Sequence, residues 1–409
     1  MEKEIHGYDK EYEAQKRNVI NSDLSEKNKE LVLKFDALCY IQERLSKPRR
    51  IKLIGHIRRL SEYINKDFEE TTISDLKHCL LQIEEQERLR LWTKQGYRVV
   101  MKKFFSWVAY GDDYKEKIRV DGYPQLVKWI NTTIKSKDTP KVKASDILTK
   151  EEVQLLIKSA QSIRDKAFIS LLYELGARIG EVGNLNIKDV TRTEYGYLID
   201  LKGKTGTRTP LVVFSASVLS MWLNNHPLKN TPEAPLWVMK VSGEHKRMMY
   251  DSLRALVIRI TERAKITKRV HPHLFRHTRV SHILLDKSMN ESQVKVYFGW
   301  TSGSNMIGQY THITSSNVND AILSMYGIIK LNDKEDELKV KKCVFCSEIN
   351  PKEAKFCYKC SNPIDEKEAI QLFEKRRETE SEIMKFIELV KESLPEEKLR
   401  EILQKTVKP

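Results

Sequence analysis

The sequence predicts a mainly α-helical fold with a small β-sheet: a helical domain, a mixed α/β domain, a cysteine ribbon and a C-terminal helix. Three observations predict it. From about Leu31 to Lys135, apolar residues recur at three- and four-residue spacing, the period of a helix with one buried face. Two β-rich stretches, Tyr197 to Leu201 and Pro210 to Phe214, flank the turn residues Gly203, Lys204, Thr205 and Gly206, a hairpin pattern. Two Cys-x-x-Cys pairs, Cys343 with Cys346 and Cys357 with Cys360, follow further on.

Taken in order, residues 1–27 are rich in charge and are expected to form a weakly ordered arm or a short helix. The helical domain spans 28–135. Leu53, Ile54, Ile57, Leu60 and Ile64 mark one of its buried faces, and Val100, Phe104, Trp107 and Val108 another; core packing accounts for them. Cys39 and Cys79 sit among apolar helical residues and read as buried thiols. A lysine-rich stretch broken by Pro140 places a linker at 136–145. The second domain, 146–330, opens on Thr149 and Glu152, a capping box. Further helices are expected at 216–224, 250–265, 275–287 and 291–298. A charged connector covers 331–341 and the ribbon 342–364. In the tail, 365–409, Phe373, Ile383, Ile387, Val390 and Leu394 mark an amphipathic helix that Pro395 interrupts. Leu399, Ile402 and Leu403 carry the stripe on. Such a face docks on its own body or on another chain.

Composition narrows the function. Lys and Arg number 72 against 57 Asp and Glu, a net charge of +15 over 409 residues. An excess of that size favours a polyanionic partner such as double-stranded DNA, since each neutralised phosphate releases counterions. Acidic and basic residues nearly balance after Asp365, so the excess lies upstream, with the active-site candidates. No run of eighteen apolar residues occurs, which excludes a membrane-spanning helix. The opening Met1-Glu2-Lys3-Glu4-Ile5-His6 lacks an apolar signal region, so a cytoplasmic location is expected. No Gly-x-Gly-x-x-Gly follows a strand and no phosphate-binding loop is present, so nucleotide-driven chemistry has no support.

The most informative residues are Arg178, His273, Arg276 and Tyr310. Breaking a phosphodiester without a metal requires charge neutralisation, a nucleophile, a base for it and an acid for the departing alkoxide. Arginine suits the first task because its planar fork gives two hydrogen bonds to one phosphate and stays charged. Arg178 sits between Gly176 and Gly180, as expected where backbone bends close to a ligand. His273 precedes Arg276 by one turn, so both share a helix face. Pro272 puts them near a helix start, where free N–H groups also favour phosphate. His273 can accept the nucleophile's proton or donate to a phosphate oxygen; a capped helix start with surface histidines is the plainer reading. His277 is expected to point elsewhere on the helix. Lys204, on the hairpin turn, can protonate a departing 5′ oxygen. Tyr310 is the candidate nucleophile; its phenol, with a usual pKa near 10, needs neighbouring cations to attack at neutral pH.

The set Arg178, Lys204, His273-x-x-Arg276, Trp300 and Tyr310 resembles the active site of the tyrosine recombinase (phage integrase) family in order and spacing. Gly-Ala-Arg-Ile-Gly-Glu-Val, His-Leu-Phe-Arg-His-Thr and Tyr-Thr-His-Ile are the matching strings. Over most of its length the chain is also similar to archaeal integrases with a helical core-binding domain before the catalytic one and a cysteine-rich module after it. The resemblance implies a DNA-clamping role for 28–135 and a site-specific recombinase or integrase that cleaves and rejoins strands through a 3′-phosphotyrosyl bond at Tyr310. It implies Arg178 and Arg276 on the phosphate, Lys204 as general acid and His273 as general base, with no metal or nucleotide needed for catalysis. Trp300 stands where the family more often has histidine. An indole donates one N–H and shuttles no proton, so stabilisation is the role it implies. Self-association is implied too, a dimer on one site and a tetramer when two sites pair. Two other readings remain: a DNA-binding regulator that keeps the scaffold without catalysing, and a type IB topoisomerase-like relaxing enzyme.

Cys343, Cys346, Cys357 and Cys360 have the spacing of one tetrahedral structural zinc; iron or a redox dithiol is the alternative. Phe345, Phe356, Tyr358 and Lys359 on this ribbon can touch nucleic acid or another protein surface.

Overall fold

The computed structural model describes residues 4–134, 144–203, 206–286, 288–310, 339–364 and 366–393. Most of the expected linker and connector, position 204 and the end of the tail therefore lie outside the described residues. The chain divides into two compact units, His6–Lys141 and Val142–Pro409, the latter together with Met1–Ile5.

The first unit is helical: α1 (Tyr8–Ile20), α2 (Glu26–Ile41), α3 (Lys47–Ser61), α4 (Ile73–Glu84), α5 (Leu91–Tyr110), α6 (Tyr114–Asp121) and α7 (Gln125–Lys128). The segment read as an arm or a short helix contains α1, thirteen residues long, which buries only Tyr12 and Val19. Two apolar anchors seven residues apart leave little periodic signal. α1 is held by chemistry as well: Tyr12 donates to Asp36 at 2.5 Å, and Arg50 Nε donates to the same carboxylate at 2.8 Å. Phe35, Phe68, Phe104, Phe105 and Trp107 fill the centre of this unit. Cys39 and Cys79 are buried, as the pattern implied.

The second unit runs α8 (Lys150–Ser159), α9 (Ile163–Leu175), α10 (Ile179–Gly183), β1 (Val190–Thr193), β2 (Gly196–Ile199), β3 (Leu201–Gly203), β4 (Gly206–Arg208), β5 (Leu211–Val212) and α11 (Ala216–Asn224). It continues with β6 (Val238–Val241), β7 (Glu244–Arg247), α12 (Tyr250–Arg263), α13 (Pro272–Leu285) and α14 (Glu291–Phe298). The Thr149–Glu152 capping box forms and opens α8. The anticipated strands pair, Tyr197 opposite Val212, but β1 joins them as a third strand in the order β1-β2-β5. A separate antiparallel hairpin, β3–β4, interrupts them with Leu201 opposite Arg208. β1 and β7 are short and polar, and β6 is four residues long with apolar residues in succession, which is why alternation did not reveal them. α9 is buried nearly all round and forms the spine of the core. Ile5 also enters this core: it is buried, takes a hydrogen bond from the Tyr250 amide at 3.0 Å, and gives its own N–H to Asn184 at 2.8 Å.

After this body come β8 (Val340–Lys342), β9 (Ile349–Pro351) and α15 (Glu366–Ser393). The fold is mainly helical with small sheets, as predicted. Among the described residues no helix is long and apolar enough to cross a membrane.

Candidate active site

The site is built around Arg276. α13 begins at Pro272, where a missing N–H costs nothing because the first helical amides have no partner in any case. Arg276 points inward and is 2 % exposed. Its Nη1 donates to the Gly176 carbonyl at 3.0 Å and its Nη2 to the Phe298 carbonyl at 2.8 Å. Each acceptor lies at a helix C-terminus, of α9 and of α14, and each end is closed by a left-handed glycine, Gly176 and Gly299. Unpaired carbonyls and the negative end of the helix dipole both favour a cation there. The guanidinium also lies 5.4 Å from the ring centroids of Phe298 and of Trp300. Burial, then Arg178, lower its pKa to about 10, so it remains charged at neutral pH.

Gly176 is required twice over. Its φ is +50°, and a Cβ there would meet the Phe298 ring at 2.4 Å.

Arg178 caps α10 and donates from Nη1 to Glu181 Oε1 at 2.7 Å. The other oxygen of Glu181 accepts from Arg208 Nη2 at 3.0 Å. Burial opposes ionisation of Glu181, but Arg208 and Arg178 outweigh it and hold the carboxyl below its usual range. Gly203 lets β3 close on this carboxylate, since a Cβ would lie 2.6 Å from Glu181 Oε1. Glu181 thus gathers two arginines beside a third. The Arg178 side chain stays 40 % exposed, open to a ligand from solvent.

Tyr310 follows a short 3-10 turn, Ile307–Gln309, and is 1 % exposed. It packs with Ile147, Val280, Ile283, Val294 and Phe298. Its hydroxyl lies 2.5 Å from His277 Nδ1. Burial pushes the phenol up to about 12, while Arg276 acts in the opposite sense. Burial, then His273, bring His277 down to about 4. At neutral pH both rings are neutral, and the phenol can donate to Nδ1 when the imidazole carries its proton on Nε2. His273 stands at the surface, its ring 4.6 Å from that of His277. Loss of hydration, then Arg276, His271 and Arg178, lower its pKa. Trp300 is half-buried and stacks on Phe298 at 5.5 Å.

The structure therefore brings Arg178, His273, Arg276, Trp300 and Tyr310 into one neighbourhood. Lys204 lies outside the described residues; β3 and β4, which flank it, rest on Glu181. His277 does not point elsewhere: it holds the Tyr310 hydroxyl. The signal was available, because His273 and His277 are four residues apart and share a helix face. Glu181, at the third helical position after Arg178, was legible as a capping residue. Nothing in the sequence marked Arg208.

The cysteines also converge. The four Sγ atoms lie within 4.8 Å of one another, with Cys343 to Cys360 at 3.6 Å and Cys346 to Cys357 at 3.5 Å. A tetrahedron of thiolates roughly 2.3 Å from a zinc ion has edges of roughly 3.8 Å, so the donor set fits one metal ion. Two matched knuckles build it. Ser347 and Ser361 take positive φ and return their amides to the Cys343 and Cys357 carbonyls at 2.9 and 2.8 Å. Asn350 and Asn362 donate to Cys357 and Cys360 at 3.6 and 3.5 Å, an outer shell that favours thiolate. The ribbon rests on its own catalytic body. Glu348 is buried beneath Arg192 of β1, accepts from Tyr358 at 2.7 Å, and pairs with Lys359 at 3.2 Å.

Residues 146–317 match the phage integrase family. A tyrosine recombinase of Pseudothermotoga lettingae is 30 % identical over 280 residues, covering 65 % of this chain and 93 % of that protein. The chain belongs to the tyrosine recombinase family. Tyrosine recombinase XerC of Oceanobacillus iheyensis is 26 % identical over 265 residues, 62 % of this recombinase and 81 % of the relative. Solved structures share the fold. The Tn1549 transposon integrase in complex with transposon right end DNA has a TM-score of 0.54 at 17 % identity, covering 72 % of this chain and 99 % of that one. XerH site-specific recombinase bound to its palindromic difH substrate has a TM-score of 0.52 at 18 % identity, covering 77 % and 95 %. This protein is accordingly a site-specific recombinase, an enzyme of DNA strand cleavage and rejoining.

Proposed function

We propose that this recombinase cuts one DNA strand by attack of Tyr310 Oη on a backbone phosphorus. The P–O5′ bond breaks, a 3′-phosphotyrosyl bond forms, and the strand leaves with a 5′-hydroxyl. The observation that supports this reading is the placement of the Tyr310 phenol within the electrostatic reach of the buried Arg276 guanidinium. Arg178 and Arg276 hold the non-bridging oxygens and neutralise the charge that grows on them. The phenolic proton passes to an imidazole, His273 being the residue open to DNA, with His277 as its inner neighbour. Lys204 gives a proton to the 5′ oxygen, and the Trp300 indole N–H donates one bond to the phosphate. Attack by a different 5′-hydroxyl on the phosphotyrosine reverses every step. One phosphoester is exchanged for another, so no nucleotide or metal enters the reaction.

In this reading 28–135 is the core-binding domain and 146–330 the catalytic domain, joined by 136–145. Double-stranded DNA is the substrate, with two protomers on one site and four when two sites pair. Solved relatives of this fold include a lambda integrase dimer bound to a core site and a tetramer bound to a Holliday junction. Cys343, Cys346, Cys357 and Cys360 hold one structural zinc, which fixes the ribbon and takes no part in strand transfer. A cytoplasmic location accompanies these assignments.

The test is a nicked suicide substrate that traps the covalent intermediate. Tyr310→Phe should bind site DNA as the wild type does and give no SDS-resistant adduct. Adduct formation by that variant removes Tyr310 from the role.

A further inference from the structure

The C-terminal helix α15 is an amphipathic element on which several large apolar side chains are exposed to solvent. Ile370, Phe373, Met384 and Ile387 are 52, 61, 64 and 41 % exposed on it. They follow a heptad seam, alternating three and four residues apart, with Arg377 and Glu380 occupying the two seam positions between them. A charged residue in the middle of an apolar seam weakens association in general and specifies register and orientation.

The seam is self-complementary in one orientation only. In an antiparallel pair, the two classes of seam position face each other across the interface. Ile370 then meets Ile387 of a second copy, Phe373 meets Met384, and Arg377 meets Glu380. All three pairs are centred between Glu378 and Thr379, one residue from the middle of Glu366–Ser393. The two helices therefore overlap along nearly their whole length of roughly 42 Å, at 1.5 Å per residue. Ile383 flanks the seam and widens it, whereas Phe386 and Leu389 point off it. On each chain Glu380 already pairs with Arg376 at 3.5 Å, so Arg377 of the second copy completes a three-charge cluster. A parallel pair would instead set Arg377 against Arg377 and Glu380 against Glu380, which like-charge repulsion opposes.

We propose that α15 is a self-association element: two copies of this chain pair through their α15 helices as an antiparallel, two-fold symmetric coiled coil, with Arg377 and Glu380 setting the register. A two-fold pairing of this kind closes on itself and produces dimers rather than filaments. Nothing in it depends on the strand-transfer chemistry, and it is read without DNA.

The experiment is sedimentation of the full-length protein in the absence of DNA. The wild type should show a monomer–dimer equilibrium. Arg377→Glu alone, and Glu380→Arg alone, should each weaken dimerisation by about tenfold or more, and the double exchange should restore it. In parallel, Ile370→Cys protein mixed with Ile387→Cys protein should give an oxidised heterodimer joined through 370 and 387, while Ile370→Cys alone gives none. A wild type that stays monomeric at every concentration overturns the proposal. So does dimerisation indifferent to the single reversals, a double exchange that fails to restore it, or self-crosslinking of Ile370→Cys. All these positions are exposed, so the variants leave the folded body intact.

Discussion

Replacing Arg276 by alanine separates what this side chain does for stability from what it does for catalysis. The substitution leaves the Gly176 and Phe298 carbonyls without their donors, a loss of about 2 kcal/mol each when no water replaces them. Contact with the two rings is worth about 1 kcal/mol more. Against this stands the cost of holding the cation where it is. Burial lowers its pKa to about 10, a displacement that corresponds to about 3 kcal/mol of unfavourable charge burial that alanine removes. The difference is a destabilisation of only about 2 kcal/mol, and less if water enters the gap. In the proposed transition state the same group faces developing charge on phosphate oxygens, where one lost donor commonly costs about 3 kcal/mol or more, at least a hundredfold in rate. Urea unfolding at neutral pH should therefore show a modest shift. Single-turnover adduct formation on a suicide substrate should fall by two orders of magnitude or more. A stability loss beyond about 4 kcal/mol with an adduct rate within about tenfold of wild type would refute the reasoning, by showing that Arg276 is mainly a structural cation.

Gly176→Ala should destabilise the catalytic unit by about 2–4 kcal/mol, combining left-handed strain with overlap onto Phe298; unchanged urea unfolding would mean that the ring moves aside freely. His282, buried and bonded to the Tyr173 hydroxyl at 2.8 Å, has its pKa lowered to about 4, by burial first and then by Lys150. Because the folded value lies below the usual 6.5, the unfolded chain takes up the proton first, so stability falls as pH drops from 6.5 towards 4, by up to about 3 kcal/mol from this group. His56 and His277 act in the same direction, and His282→Gln should remove one share of the slope in urea midpoints between pH 7 and pH 4.5; an unaltered slope would rule His282 out. Cys343→Ser combined with Cys346→Ser should take zinc from about one per chain to none by elemental analysis, and a wild-type ribbon that is folded and metal-free would end the zinc assignment.

How much of this was legible depended on whether a signal is local. The caps of α8, the limits of α11 and α14 and the buried faces of α3 and α5 follow from spacing and capping chemistry within one element. The site candidates were found the same way, His273 and Arg276 by one helical turn and the cysteines by their pairs. What could not be read locally were groups whose partners lie far along the chain. Arg208 acquires its role only because β4 folds onto Glu181, 27 residues earlier. Ile5 leaves its neighbours and closes a core 179 residues away at Asn184. The four-residue strands β1, β6 and β7 are held by pairing rather than by alternation, so no periodicity announces them.

The pairing of Tyr310 with His277 carries a further consequence for the proposed chemistry. With burial holding the phenol up near 12 and the imidazole down near 4, the proton stays on oxygen, so the bond keeps the proposed nucleophile in its unreactive form. Both values depart from the ordinary ones chiefly because of burial, and hydration of the site would bring the phenol towards 10 and the imidazole towards 6.5. A phosphate seated on Arg178 and Arg276 acts on both partners, since an anion there favours the imidazolium that must receive the proton and opposes the phenolate that must give it up. Hydration narrows the gap from both sides, whereas the two effects of the anion oppose each other. In the proposed chemistry the arginines therefore do more than hold the phosphate: they offset the field by which that anion would keep the proton on its attacker.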